Sequence, residues 1–376
     1  MKNCLHWTDL GFKKLLSMER PLLRPDEDGV IDVSYSVLGE IGETYRLPCG
    51  IDAAFSHPFL EFDATNSRIT RIQNLEGCTS LRRLVLRQNA IAKISGLETL
   101  TELEEIDLYL NHVQELNDLE NKSKLKRLDL SFNRIRSMES LSRFALPALE
   151  ELYLVQNRIR EIAGLRAENL PQLKLLELGS NRIAAIGENI EQVGASLEEL
   201  WLGRNKIRQV PLLRGMHRLR RVSVQSNHLL EIGSGFEPSA DALEELYLSH
   251  NGISSLAGVE TLAKLKLLDL GCNRIVQLDH FLEELKNLEE LWLNGNLVET
   301  LDQVYKLSGH SQLRTLYLEG NPVADWLTRE HGQEWYRAVV VSILPMLTQL
   351  DADPVTEETR SLSDSEHCEA IRDRER

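Results

Sequence analysis

One pattern limits what this chain can become. From Leu125 to Leu318 the form L-x-x-L-x-L-x-x-N-x-I/L recurs. Leu125, Leu128, Leu130, Asn133 and Ile135 make one copy, and Leu149, Leu152, Leu154, Asn157 and Ile159 make the next. The marks return through Leu173–Ile183, Leu197–Ile207, Leu219–Leu229, Leu243–Ile253, Leu265–Ile275 and Leu288–Leu297. Earlier copies begin at Leu81 and Leu103, and a last one runs from Leu313 to Asn321. Successive Asn residues stand 22 to 25 positions apart. The L-x-L alternation sends Leu128 and Leu130 into a core and Asp129 away from it. A strand this short cannot bury its apolar side alone, whereas stacked copies share one continuous core. The Asn falls on the inside of the turn, where its amide pairs backbone groups that the turn leaves without partners.

A fixed period in this range, with this consensus, resembles the leucine-rich repeat. The resemblance implies an α/β solenoid with a curved parallel sheet on its concave face and short helical or 3₁₀ turns on its convex face. The array takes residues 59–321, about twelve repeats, the first of them degenerate. In that first copy Ala64 stands in a Leu slot and Ser67 in the Asn slot. Residues 1–58 lie outside the pattern and read as an extension and cap, with a short helix over Asp9–Leu23. Over 322–351, Trp326, Trp335, Tyr336, Val339, Val340, Ile343 and Leu344 have near-helical spacing ended by Pro345, the pattern of a C-terminal cap. Residues 352–376 are polar and mixed in charge, and on composition form a disordered tail. Several repeats carry two extra residues, as around 143–147 and 167–171, which read as surface loops.

Composition narrows the function. A formal net charge of −15 is the wrong sign for a nucleic-acid partner. The five cysteines are scattered with no C-x-x-C, which signals neither a disulfide framework nor a zinc site. The N-terminus lacks a secretory pattern, and no run of roughly 20 apolar residues offers a membrane span. The expectation is an intracellular protein of nucleus or cytoplasm, monomeric apart from its partner. His112, His228 and His250 sit at the Asn turns and not at ligand spacing. Pairs such as Glu198-Glu199 and Glu289-Glu290 recur with the period and read as a solvated face. No phosphate-binding loop, nucleophile elbow or metalloprotease motif occurs. The chain reads as a non-enzyme without a cofactor.

The informative column is the x of L-x-L: Val85, Asp107, Asp129, Tyr153, Glu177, Trp201, Ser223, Tyr247, Asp269, Trp292 and Tyr317. Alternation points these side chains out of the strand face. Five are Tyr or Trp and four are Asp or Glu, a mixture suited to a protein partner with basic and apolar knobs. The competing reading is that the rings merely stack on one another across neighbouring strands, about 4.8 Å apart.

Off-consensus runs carry a finer resemblance. L-E-L-G-S-N-R-I at 176–183, Y-L-S-H-N-G-I at 247–253, V-Q-S-N at 224–227 and L-R-Q-N at 86–89 are similar to the leucine-rich-repeat regulatory subunit of protein phosphatase 1. So is the closing segment, with E-G-N-P at 319–322, Tyr336-Arg337, Leu344-Pro345 and Leu350-Asp351. The resemblance implies a stoichiometric regulator that binds the phosphatase catalytic subunit on its concave face, with room for a further phosphatase inhibitor subunit. By position it implies Asp129, Tyr153, Glu177, Trp201, Asp269, Glu290, Trp292 and Tyr317 as contacts; Tyr247 is added from the column pattern alone. Two other readings stand beside it: a scaffold of a ciliary or cytoskeletal assembly, and a relative of a spliceosomal protein.

Overall fold

Each L-x-L forms one short strand. The computed structural model describes residues 25–34, 59–278 and 280–375, and the helix expected over Asp9–Leu23 lies outside them. The chain divides into two units. The first carries β1 (Val30–Asp32), β2 (Glu61–Asp63), β3 (Arg83–Val85), β4 (Glu105–Asp107), β5 (Arg127–Asp129) and β6 (Glu151–Tyr153). The second carries β7 (Leu175–Glu177), β8 (Glu199–Trp201), β9 (Arg221–Ser223), β10 (Glu245–Tyr247), β11 (Leu267–Asp269), β12 (Glu290–Trp292), β13 (Thr315–Tyr317), β14 (Gln349–Leu350) and β15 (Asp353–Pro354). Within each unit the strands pair in chain order and in parallel, except that β15 returns antiparallel to β14.

The register repeats without slip. Leu200 pairs with Val222, Leu246 with Leu268, and Leu291 with Leu316. The consensus leucines, with Ile135, Ile183, Ile207 and their equivalents, are fully buried. Each such side chain contributes about 1.5–3 kcal/mol by leaving water. One detail differs from the sequence reading: the copy from Leu288 closes on the buried Val298, while Leu297 is exposed.

The turn asparagines tie successive copies together. Asn205 Nδ2 donates to the carbonyls of Leu178, Leu202 and Gly203 at 3.0, 3.0 and 3.3 Å, and its Oδ1 accepts from Ile183 N at 3.0 Å. Asn89, Asn133 and Asn273 make the same set. Ser67, in the Asn slot of the degenerate copy, is wholly buried and donates instead to Val33 O at 3.0 Å. That bond, with the pairing of β1 to β2, places a strand before residue 59.

The longer repeats spend part of their extra length on 3₁₀ helix, at Glu139–Arg143, Glu188–Val193 and Gly233–Ser239. Turn geometry here depends on glycine. Gly258 holds φ +106°, and a Cβ at that position would collide with the carbonyl oxygen of Gly233. Gly258→Ala should therefore cost at least about 2 kcal/mol in urea unfolding. A loss below ~0.5 kcal/mol would mean the turn yields.

Beyond Asn321 the pattern changes to helix. Pro322 sits in the first turn of α2 (Pro322–His331), after the short α1 (Leu301–Tyr305), and α3 (Gln333–Ile343) follows. Tyr336 is buried and donates to Asp351 Oδ2 at 2.9 Å. Asp351 Oδ1 accepts from Leu318 N and Glu319 N, and Arg337 donates to the carbonyls of Leu350 and Pro354. These bonds satisfy the open end of the β13 turn, where a further repeat would otherwise supply partners.

Residues 352–375 do not form the disordered tail that composition implies. They fold into α4 (Glu357–Ser363) and α5 (Glu366–Arg374). Thr356 and Ser365 cap the two helices through their side-chain oxygens. Arg360 bonds to Pro345 O and Leu347 O, and Cys368 and Ile371 are buried. Two N-caps and a few apolar residues suffice because α3 supplies the surface they cover.

Candidate protein-binding face

The outward column is only partly outward. Asp129 and Tyr153 lie in the first unit, and Glu177, Trp201, Tyr247, Asp269, Glu290, Trp292 and Tyr317 in the second. Tyr153, Glu177, Trp201, Tyr247, Glu290, Trp292 and Tyr317 are half-buried on the strand face. Asp129 and Asp269 are only 5% and 4% exposed. Each carboxylate folds back onto its own turn: Asp129 Oδ1 accepts from Ser131 N at 2.9 Å, and Asp269 Oδ1 from Gly271 N at 3.0 Å. Such Asx turns give these aspartates work inside the fold.

Burial pushes the Asp269 carboxyl above its ordinary value, against the opposing effect of its hydrogen bonds from Ser249 and Gly271. The folded form therefore holds its proton to higher pH than the unfolded chain does. Stability associated with this group falls as pH rises from about 3.9 through the folded value, then levels. Asp269→Asn keeps an acceptor for Gly271 and removes the charge. It should abolish this part of the fall, read as melting temperature against pH in both proteins; identical slopes would show that the carboxyl is solvated after all.

The rings are partly committed as well. Tyr153 donates to Glu151 at 2.9 Å, Trp201 Nε1 to Glu199 at 3.1 Å, and Tyr247 to Glu245 at 2.8 Å. Trp201 and Tyr247 lean together with centroids 5.8 Å apart and cover Ser223, which is 1% exposed. Arg221 sits between Glu199 and Glu245 and bonds both, at 2.8 and 3.0 Å. In the first unit Arg127 reaches Glu151 at 3.1 Å and lies 4.5 Å from the Tyr153 ring centroid. Column reasoning missed these partners. Their signal was present: E-L-Y and E-L-W place a Glu two residues before each ring, on the same side of the strand.

β12 and β13 break this rule. Trp292 and Tyr317 pack edge-on with centroids 5.4 Å apart. Trp292 Nε1 is buried and, among the described residues, has no acceptor. Glu290, two residues earlier, stands beside Leu267 and Thr315 in the register, so no neighbouring strand brings it a cation. Among the described residues nothing forms an ion pair with it. Tyr317 Oη accepts from Gln349 Nε2 at 2.9 Å, and Glu319 is exposed beyond it. An unspent carboxylate beside a half-buried ring pair suits a partner offering a basic side chain and apolar surface.

Three stretches match family descriptions: "Leucine-rich repeat" over residues 238–368, "Leucine rich repeat" over 123–183, and "Leucine Rich repeats (2 copies)" over 79–121. The chain is a leucine-rich-repeat protein. A solved internalin, inlF from Listeria monocytogenes, has the same fold, with TM-score 0.64 and 23% identity over 80% of this chain and 83% of that one. Similar curated proteins match only short stretches. Protein phosphatase 1 regulatory subunit pprA of Dictyostelium discoideum is 42% identical over 74 residues, 20% of this chain and 20% of its own length. Leucine-rich repeat-containing protein 51 of Bos taurus is 33% identical over 92 residues, 24% of this chain and 44% of its own. Cilia- and flagella-associated protein 410 of Homo sapiens is 38% identical over 92 residues, 24% of this chain and 34% of its own. The match thus spans less than half the length of each of these relatives. Among the described residues no helix is long and apolar enough to cross a membrane, and no cluster of His, Cys, Asp and Glu is arranged to hold a metal ion.

Proposed function

We propose that this leucine-rich-repeat protein is a non-catalytic regulatory subunit that holds the catalytic subunit of protein phosphatase 1 against its strand face. The observation carrying the reading is the β12–β13 cluster of Glu290, Trp292 and Tyr317, where a carboxylate without an ion pair among the described residues stands beside two half-buried rings. The similarity to the Dictyostelium phosphatase subunit supports the choice of partner. The contact would work by surface alone, changing the activity, assembly or location of the phosphatase. Trp201 and Tyr247 would add ring area, while Asp129 and Asp269 would act through the turns they hold.

The second reading is a scaffold of a ciliary or cytoskeletal assembly, favoured by the similarity to the human cilia- and flagella-associated protein. Affinity purification from cells, followed by mass spectrometry, separates the two. Recovery of the phosphatase catalytic subunit in stoichiometric amount supports the first; axonemal proteins without phosphatase support the second.

A further inference from the structure

We propose that the turn edge of the first unit, apart from its strand face, binds an extended segment of a partner protein in which acidic residues alternate with large apolar ones. The residue before each turn Asn is held in the left-handed region: φ is 55° at Gln88, 55° at Leu110, 58° at Phe132 and 53° at Gln156. Gly and Asn enter that region readily, and bulky side chains resist it. In the second unit the position is filled by Ser180, Arg204, Ser226, His250, Cys272, Gly295 and Gly320, none of them a large apolar residue. Leu110 and Phe132 are thus placed against their backbone preference, and they remain 45% and 37% exposed. The Phe132 ring rests on Tyr109 with centroids 5.0 Å apart, and Arg87 lies 4.9 Å from the Tyr109 centroid. Together Leu110, Phe132 and Tyr109 form an apolar strip that the fold leaves open.

Cations run beside it. Arg134 and Arg158 follow the Asn on their turns, and Arg136 lies two residues on. Arg134 and Arg136 are exposed and Arg158 half-buried, and among the described residues none of the three has an acidic partner in ion-pair range. On the strand face of the same unit, by contrast, Arg83 is shared between Glu61 and Glu105, and Arg127 is bonded to Glu151. Three arginines without an ion pair thus gather beside the apolar strip, in a chain of net charge −15.

The turns are stitched in step. Leu110 N bonds Ser131 O at 2.9 Å and Phe132 N bonds Val155 O at 2.7 Å; Arg134 N bonds Val113 O and Arg158 N bonds Ile135 O, both at 2.8 Å. Neighbouring copies therefore stand about one strand spacing apart, ~4.8 Å. The apolar residues make one row and the arginines a second row beside it. An extended peptide presents side chains to alternate sides, so one laid along this edge directs carboxylates at the arginines and apolar groups at Leu110 and Phe132. A polyphosphate fits less well, because it leaves Leu110 and Phe132 uncovered and nucleic acid needs a broad basic footprint.

The test is fluorescence anisotropy on the full chain, with a labelled short peptide of alternating Glu and Leu or Phe as probe. Saturable binding that weakens with salt is expected. Leu110→Asn with Phe132→Asn should weaken it about tenfold, as should Arg134→Glu with Arg136→Glu. The Leu110→Asn/Phe132→Asn variant should melt no lower than the parent, since Asn tolerates the left-handed region. Absence of saturable binding, unchanged affinity in both variants, or equal affinity for an oligoglutamate lacking apolar residues would overturn the proposal. So would tighter binding of single-stranded DNA or phosphatidylserine vesicles than of the peptide, or a fall of several degrees in that variant's melting temperature.

Discussion

Glu290→Lys combined with Trp292→Ala is expected to weaken capture of the phosphatase catalytic subunit by at least about a hundredfold. The size follows from what the two side chains leave unused. Among the described residues Glu290 has no ion-pair partner, so a partner's Lys or Arg gains the carboxylate; lysine there turns attraction into repulsion. Trp292 offers half-buried ring area beside Tyr317. Buried aromatic anchors of this kind are worth on the order of 2 kcal/mol or more each. Trp201→Ala removes a ring whose N–H is already bonded to Glu199, and should cost nearer tenfold. Trp201→Ala with Trp292→Ala should abolish capture while the far-ultraviolet circular dichroism stays that of the parent. Surface plasmon resonance on the purified pair measures all three. Equal, small effects from every variant would remove the strand face of the second unit from the interface.

The second large effect concerns the fold. Asn205→Ala should destabilise the protein by about 3–5 kcal/mol in urea unfolding. Its side chain serves Ile183 N and the carbonyls of Leu178, Leu202 and Gly203, all inside the stack. Alanine leaves an N–H and several carbonyls without the partner that the amide supplies. Asn205→Asp should be as costly at neutral pH, because a carboxylate would face carbonyl oxygens. Repeat stacks lose stability locally, so hydrogen exchange at Ile183 and Ile207 should accelerate before distant copies respond. A loss under ~1 kcal/mol would show that the turns close without the amide.

Both results bear on how legible the molecule was. The consensus leucines and the Asn needed no structure, because their spacing alone dictates which side chains share a core and which backbone groups the turn leaves open. Ser67 shows how far that logic reaches: a substituted slot is still read correctly, since a buried hydroxyl can reach Val33 O. The tail resisted, since α4 and α5 owe their order to α3, which a composition count does not see.

At the candidate face the division is sharper. Sequence by itself determined the fold class and the alternation of core and strand-face positions, because a period of two is a local property of a strand. Which members of that column remain free was decided by tertiary structure. Asp269 is spent on its own turn, Trp201 on Glu199, and Glu199 and Glu245 on Arg221. Glu290 stays unspent because the register sets Leu267 and Thr315 on either side of it. The physical reason is that hydrogen bonds and ion pairs between copies join residues more than twenty positions apart, and only stacking brings them within reach.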